Sequence, residues 1–108
     1  MEKWKPHHDL KKFKKLFSTH ATRAITKIAQ KGAASMGYMD MEDIQKVLKQ
    51  LGPEHFYKSM TTYQNHKIWQ DVYKYRDDDK GLYIKLQLST DGEQAILIQM
   101  KQDEGGDE

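Results

Sequence analysis

Cysteine is absent from the 108 residues, so no disulfide framework can hold the chain together. No apolar run approaches the roughly 20 residues that a membrane span requires. The opening Met1-Glu2-Lys3-Trp4-Lys5-Pro6 has neither the apolar stretch nor the small-residue cleavage site of a secretory signal. A cytoplasmic location is expected. Internal repeats are missing, as are a Gly-x-Ser-x-Gly motif and phosphate-cradling glycine loops. His7, His8, His20, His55 and His66 lack cysteine partners and the helical i, i+4 spacing of zinc sites. The densest carboxylate cluster, Asp77-Asp78-Asp79, stands beside Lys80-Gly81, and adjacent residues rarely converge on one hard cation. It reads as a solvated turn. Neither a catalytic metal nor another cofactor is expected.

What is present suits one small globular domain. The length leaves room for a single modest core, and 37% hydrophobic with 31% charged residues is a folded composition rather than a disordered one. A net charge of +2 conceals an uneven distribution. Residues 1–30 hold eight Lys/Arg against Glu2 and Asp9, a balance of +6, whereas residues 77–108 hold three Lys against nine Asp/Glu, a balance of −6. The basic third can attract a phosphate backbone. It fits equally well the wet face of a helix bearing Lys11, Lys12, Lys14 and Lys15.

Apolar residues at Leu10, Phe13, Leu16 and Phe17 predict an amphipathic helix over 8–17. Ala24, Ile25, Ile28 and Ala29 predict a second over about 22–34, weakened by Gly32. Asp40 stands as the cap of a third, with Met41, Ile44, Val47, Leu48 and Leu51 on its stripe. Gly52-Pro53 is its stop, the glycine accepting a left-handed terminal conformation and the proline refusing to continue. After Pro53 the period changes. Residues 56–63, 68–75, 82–88 and 95–101 read as strands joined by short polar turns, which makes antiparallel neighbours. In the third strand Leu82, Ile84, Leu86 and Leu88 are expected to face the helices, with Tyr83, Lys85 and Gln87 on an open face. The expected architecture is α+β: N-terminal helices packed on a mainly antiparallel sheet of about four strands over 1–102, followed by a flexible acidic tail over 103–108.

Lys58, Gln70, Tyr83, Lys85 and Lys101 lie on the strands among apolar and aromatic neighbours. Lysine, glutamine and tyrosine can together serve metal-free cleavage of an RNA phosphodiester. That reaction needs help for the departing 2′-OH proton, cationic donors for charge growing on phosphate oxygens, and a group near the leaving 5′-oxygen. Spacing alone leaves open that these are ordinary side chains of an exposed strand face.

Phe56-Tyr57-Lys58-Ser59-Met60-Thr61-Thr62-Tyr63, followed by His66 and Ile68-Trp69-Gln70-Asp71-Val72-Tyr73, resembles the signature stretch of the MqsR (motility quorum-sensing regulator) toxins. The opening Met1-Glu2-Lys3 with Pro6-His7 and Leu10, and Tyr83, Lys85 and Lys101 in the last two strands, extend the likeness. The resemblance implies a RelE-like fold and the toxin of a type II toxin–antitoxin system: a metal-independent endoribonuclease that cleaves mRNA and is held inactive by an MqsA-like antitoxin encoded beside it. It further implies catalytic roles for Lys58, Gln70, Tyr83 and Lys101, with Tyr57, Met60, Lys74, Arg76 and Lys85 as RNA-binding residues. Departures from the family pattern are the longer turn at Thr90-Asp91-Gly92-Glu93-Gln94, the segment Lys74-Tyr75-Arg76, and the acidic end. Direct sequence-specific DNA reading is not expected of this chain. The alternative is a noncatalytic toxin or nucleic-acid-binding module acting on a protein or RNA target, since fold alone does not decide function.

Overall fold

Alternating side chains of one sheet form both the core and the open surface of this molecule, whose computed structural model describes residues 1–105. The elements run β1 (Glu2–Lys3), α1 (Leu10–Phe17), β2 (Arg23–Ile25), α2 (Lys27–Ser35), α3 (Met41–Gln50), β3 (Phe56–Thr61), β4 (Trp69–Asp77), β5 (Lys80–Leu88) and β6 (Ala95–Gln102). The sheet has six strands in the order β1-β3-β4-β5-β6-β2. β3 to β6 form the expected antiparallel meander.

Four strands was an undercount, and the two extra ones are short edge strands contributed by the N-terminal part. β1 pairs antiparallel with β3, Glu2 opposite Met60 and Lys3 opposite Ser59. β2 pairs parallel with β6, which makes the sheet mixed. β2 also corrects the second helix. Ala24 and Ile25, read as part of a helical stripe, instead face Ile96 and Leu97 across a strand ladder. Distant pairing overrides the local period here, because a three-residue strand has no periodicity of its own to display.

Each α-helix starts on a side chain that accepts an otherwise unpaired N–H: Asp9 from Lys12, Thr26 from Ala29 and Asp40 from Asp43. α2 ends on Gly37 at φ +97, where Gly37 N–H donates to Ala34 and Tyr38 N–H to Ala33, closing the paired bonds of a Schellman end. α3 stops differently from the expectation. Gly52 is extended (φ −131), as the residue before a proline must be, so its left-handed freedom is not used.

Phe13, Phe17, Ala29, Ala33, Ile44, Val47 and Leu48 from the helices meet Tyr73, Leu82, Ile84, Leu86, Leu97 and Met100 from the sheet in one buried cluster. The expected inward set of β5 is found there, with Leu88 partly buried at its margin. Gly32 explains itself at this contact: a Cβ would lie 2.1 Å from the Met100 carbonyl oxygen, so only glycine lets α2 approach β6 this closely. Of the acidic triplet, Asp78 (φ +60) and Asp79 make the β4–β5 hairpin turn, while Asp77 ends β4 and accepts a 2.6 Å hydrogen bond from the Tyr38 hydroxyl. Of the expected acidic tail, Asp103 is tied down: its N–H donates to Gly81 and its carboxylate pairs with Lys74 at 3.3 Å. Residues 106–108 of that tail lie outside the described residues. No helix among the described residues is long and apolar enough to cross a membrane.

Candidate active site

Lys58, Gln70, Tyr83 and Lys101 stand on β3, β4, β5 and β6 respectively, on the sheet face that the helices leave uncovered. Strict alternation would not achieve this. On β6 the inward residues Ala95 and Leu97 would bring Lys101 inward too. A bulge intervenes: Leu86 faces Leu97 but Lys85 faces Gln99, so one extra residue turns Met100 into the core and Lys101 outward beside Tyr83. A second bulge on β3, between Phe56 and Lys58, lets Phe56 point toward the helices opposite Tyr73 while Lys58 stays outward opposite Val72. Tyr57, at that bulge, joins the open face.

Two cross-strand rows result. Lys74, Tyr83 and Lys101 are direct neighbours in one, and Lys58, Val72, Lys85 and Gln99 in the other. Val72 is fully buried although it lies on the helix-free face, so the surrounding side chains roof it over. The cations rest on aromatic rings: Lys74 Nζ is 4.1 Å from the centroid of Tyr57, Lys58 Nζ 5.5 Å from the same ring, and Lys101 Nζ 5.0 Å from Tyr83. Tyr57, Lys58, Lys74, Tyr83 and Lys101 line a depression of about 230 Å³. Gln70 is not in it. Its side-chain amide donates to Gln87 at 2.9 Å, and it lines an adjoining depression of about 660 Å³ with Met60, Lys85, Glu2 and His66. An ion pair joins the two hollows, Lys58 Nζ lying 2.6 Å from a Glu2 carboxylate oxygen. Arg76 lines neither hollow; it is exposed at the hairpin end, opposite Gly81.

The protonation of the face follows from this packing. Burial raises the Tyr83 hydroxyl above the ordinary phenol value, outweighing the opposite pull of Lys58 and Lys74, so it is a donor at neutral pH. The hydrogen bond to Glu2 raises the Lys58 ammonium, against the opposing effect of burial. Burial lowers Lys85, and the charges of Lys101 and Lys58 push it the same way. The face therefore offers fixed cations and a phenolic donor to an anion, in a shallow site partly shielded from water.

Three residues with roles in this arrangement escaped the reading of the sequence. Glu2 and Asp103 are the carboxylates that hold Lys58 and Lys74, and only the fold brings them there. Asp71 is the third. On the covered face and fully buried, it accepts the N–H groups of His7 and His8 (2.8–3.1 Å) and the Ser59 hydroxyl (2.6 Å), and so ties the segment after β1 to the centre of the sheet. His8 Nε2 lies 2.7 Å from the Trp69 carbonyl, and the His7 ring stacks on Trp69. A buried carboxylate in a strand is a signal for such a partner, but not for which one. Among the described residues no three His, Asp or Glu side chains gather as they would around a metal ion.

The sequence model of a protein family described as "Motility quorum-sensing regulator, toxin of MqsA" matches residues 5–102, which include Tyr57, Lys58, Gln70, Lys74, Tyr83, Lys85 and Lys101 of the open face but not Glu2 or Asp103. The chain belongs to this MqsR toxin family. A relative from Escherichia coli (strain K12), named mRNA interferase toxin MqsR, is 40% identical over 102 residues, covering 94% of this chain and 99% of the relative. Family membership thus spans both the helices and the sheet. The signature stretch from Phe56 to Tyr73 is one part of it.

Proposed function

We propose that the chain is the toxin of a type II toxin–antitoxin pair and acts as a metal-independent endoribonuclease on messenger RNA, on a scaffold of the RelE-like kind. The observation that carries this is the gathering of Lys58, Tyr83 and Lys101 in one hollow, with Gln70 and Lys85 in the next, on a face left open by the helices. The relative's name, mRNA interferase, and the family's description as the toxin of MqsA supply the substrate class and an MqsA-like antitoxin as partner.

Lys58 and Lys101 hold the non-bridging oxygens and stabilise charge in the pentavalent phosphate, Gln70 orients the nucleotide, and Tyr83 donates a proton or hydrogen bond near the leaving oxygen. Tyr57 and Met60 offer surfaces for bases to stack or pack on, and Lys74, Lys85 and Arg76 bind neighbouring phosphates. With the 2′-hydroxyl as nucleophile, the products are a 2′,3′-cyclic phosphate and a 5′-hydroxyl. Purified protein should shorten a naked transcript equally well in excess EDTA, and a 2′-deoxy substitution at the scissile nucleotide should stop cutting there. RNA that is retarded but never shortened would point to the noncatalytic binder instead. Cleavage that chelation abolishes and magnesium restores would overturn the mechanism.

A further inference from the structure

Lysines and a protonated tyrosine stabilise a transition state, but none of them readily takes the proton that the 2′-hydroxyl must lose. A carboxylate does so near neutral pH without first giving up a proton of its own. Among the described residues one acidic side chain lines the hollow shared by Gln70 and Lys85, and it is Glu2. β1 delivers it there: the pairing of Glu2 with Met60, which is on the open face, turns Glu2 to that face, and Thr61 N–H donates to the Met1 carbonyl at 3.0 Å to hold the strand. Lys58 donates to its carboxylate at 2.6 Å, which fixes the group and leaves its second oxygen to accept another hydrogen. Asp103, the other carboxylate bound to a lysine of the face, lies at the far side of the smaller hollow on Lys74.

We propose that Glu2 is the general base of the RNA cleavage. This rests on the ribonuclease reading above. The 2′-O–H proton passes to the free Glu2 oxygen as the O2′ lone pair forms the new bond to phosphorus. The P–O5′ bond breaks with its electron pair on O5′, and O5′ takes a proton from the Tyr83 hydroxyl. Glu2 then returns its proton to water and Tyr83 regains one from water, so both residues end as they began. Lys58, held between Glu2 and the phosphate, serves the attacking and the equatorial oxygens together. The titratable residues that pair with Glu2 or line the hollow with it are Lys58 from β3, Tyr83 and Lys85 from β5, Tyr63 and His66 from the β3–β4 turn, and the amino-terminal Met1. Lys85, lowered by burial, and His66 are the competing bases.

Glu2→Gln separates these. Its amide oxygen still accepts from Lys58, so a purely structural role would survive the change. Untagged wild type and variant would be compared on a short RNA for kcat across pH, and on its uncleavable 2′-O-methyl form for binding. The expected result is a loss of ~10²–10⁴ in kcat, disappearance of the acid limb of the pH profile, and binding as tight as wild type or tighter. Glu2→Asp should recover part of the rate together with the limb. A variant that cuts at the wild-type rate or faster would mean that Glu2 merely shields Lys58, and would overturn the assignment. An acid limb that persists in Glu2→Gln would overturn it in favour of His66 or Lys85, and weakened binding would make Glu2 a binding residue instead. Failure of the wild type itself to cut RNA would count against the ribonuclease reading and leave a distinct result.

Discussion

The two faces of the sheet are made by the same strands and obey opposite rules. On the covered face Tyr73, Leu82, Ile84, Leu86 and Met100 are sealed by the helices, and the one fully buried charged group among the described residues, Asp71, is satisfied by four hydrogen bonds from His7, His8 and Ser59. The residues next to these in sequence, Lys74, Tyr83, Lys85 and Lys101, form an open face in which like charges crowd together. Burial of apolar area stabilises the first face. The second is a concentration of cations that no stability argument requires, offset in part by Glu2 and Asp103 and by the rings of Tyr57 and Tyr83. Such a difference between adjacent residues separates scaffold from candidate site.

Substitutions can test whether the separation is that clean. Leu86→Ala removes a fully buried side chain from the covered face and should cost about 2–5 kcal/mol of unfolding free energy, read as a lower urea midpoint, with cleavage per folded molecule preserved. Lys58→Ala on the open face should do the reverse. Its cleavage rate should fall ~10²–10³-fold while circular dichroism and melting stay near wild type; an equal loss of stability would show that the lysine row is structural. Gly32→Ala sharpens the contrast at the helix–sheet contact. Helix propensity alone would stabilise the variant by roughly 1 kcal/mol, but the Cβ placed 2.1 Å from the Met100 carbonyl must push α2 from β6. A net loss of about 1–3 kcal/mol is expected, and a raised melting temperature would refute the close approach. Because Lys101 follows Met100, this variant should also lower cleavage more than Leu86→Ala does.

The smallest effect concerns pH. His7 is held below the ordinary value of 6.5, first by burial and then by the charges of Lys3 and His8, against the opposing pull of Asp71. Its native form binds protons less readily than its unfolded form, so its contribution to stability is fully present above 6.5 and is lost as pH falls through the lowered native value. Unfolding by urea at about pH 7.5 and about pH 5.5 should therefore show a slightly larger drop for wild type than for His7→Gln. An identical drop in the two would remove His7 as a contributor.

Much of this molecule was legible in order along the chain. The stripe of Phe13 and Phe17, the cap at Asp40 and the inward set of Leu82, Ile84 and Leu86 depend on helix and strand periods, which local composition reveals. The open-face residues Lys58, Gln70, Tyr83 and Lys101 were legible through their motif. The arrangement that makes them neighbours was not. Regular alternation would direct Lys101 to the core, and only the bulge opposite Lys85 and Leu86 reverses it. Likewise β1 and β2 are too short to carry a period, and the Asp71 carboxylate has only the Ser59 hydroxyl until His7 and His8 arrive from more than sixty residues away.

The sequence by itself determined the kinds of element, their order and the chemistry placed on alternate positions, because backbone preference and side-chain period act over a few residues. Tertiary structure decided the two edge strands, the bulges and the pairing of Glu2 with Lys58 and of Asp103 with Lys74. Register is set by which strand lies alongside, and one residue of register moves a side chain from one face of a sheet to the other. That is why a lysine visible at position 101 joins the candidate site only when β5 is beside it.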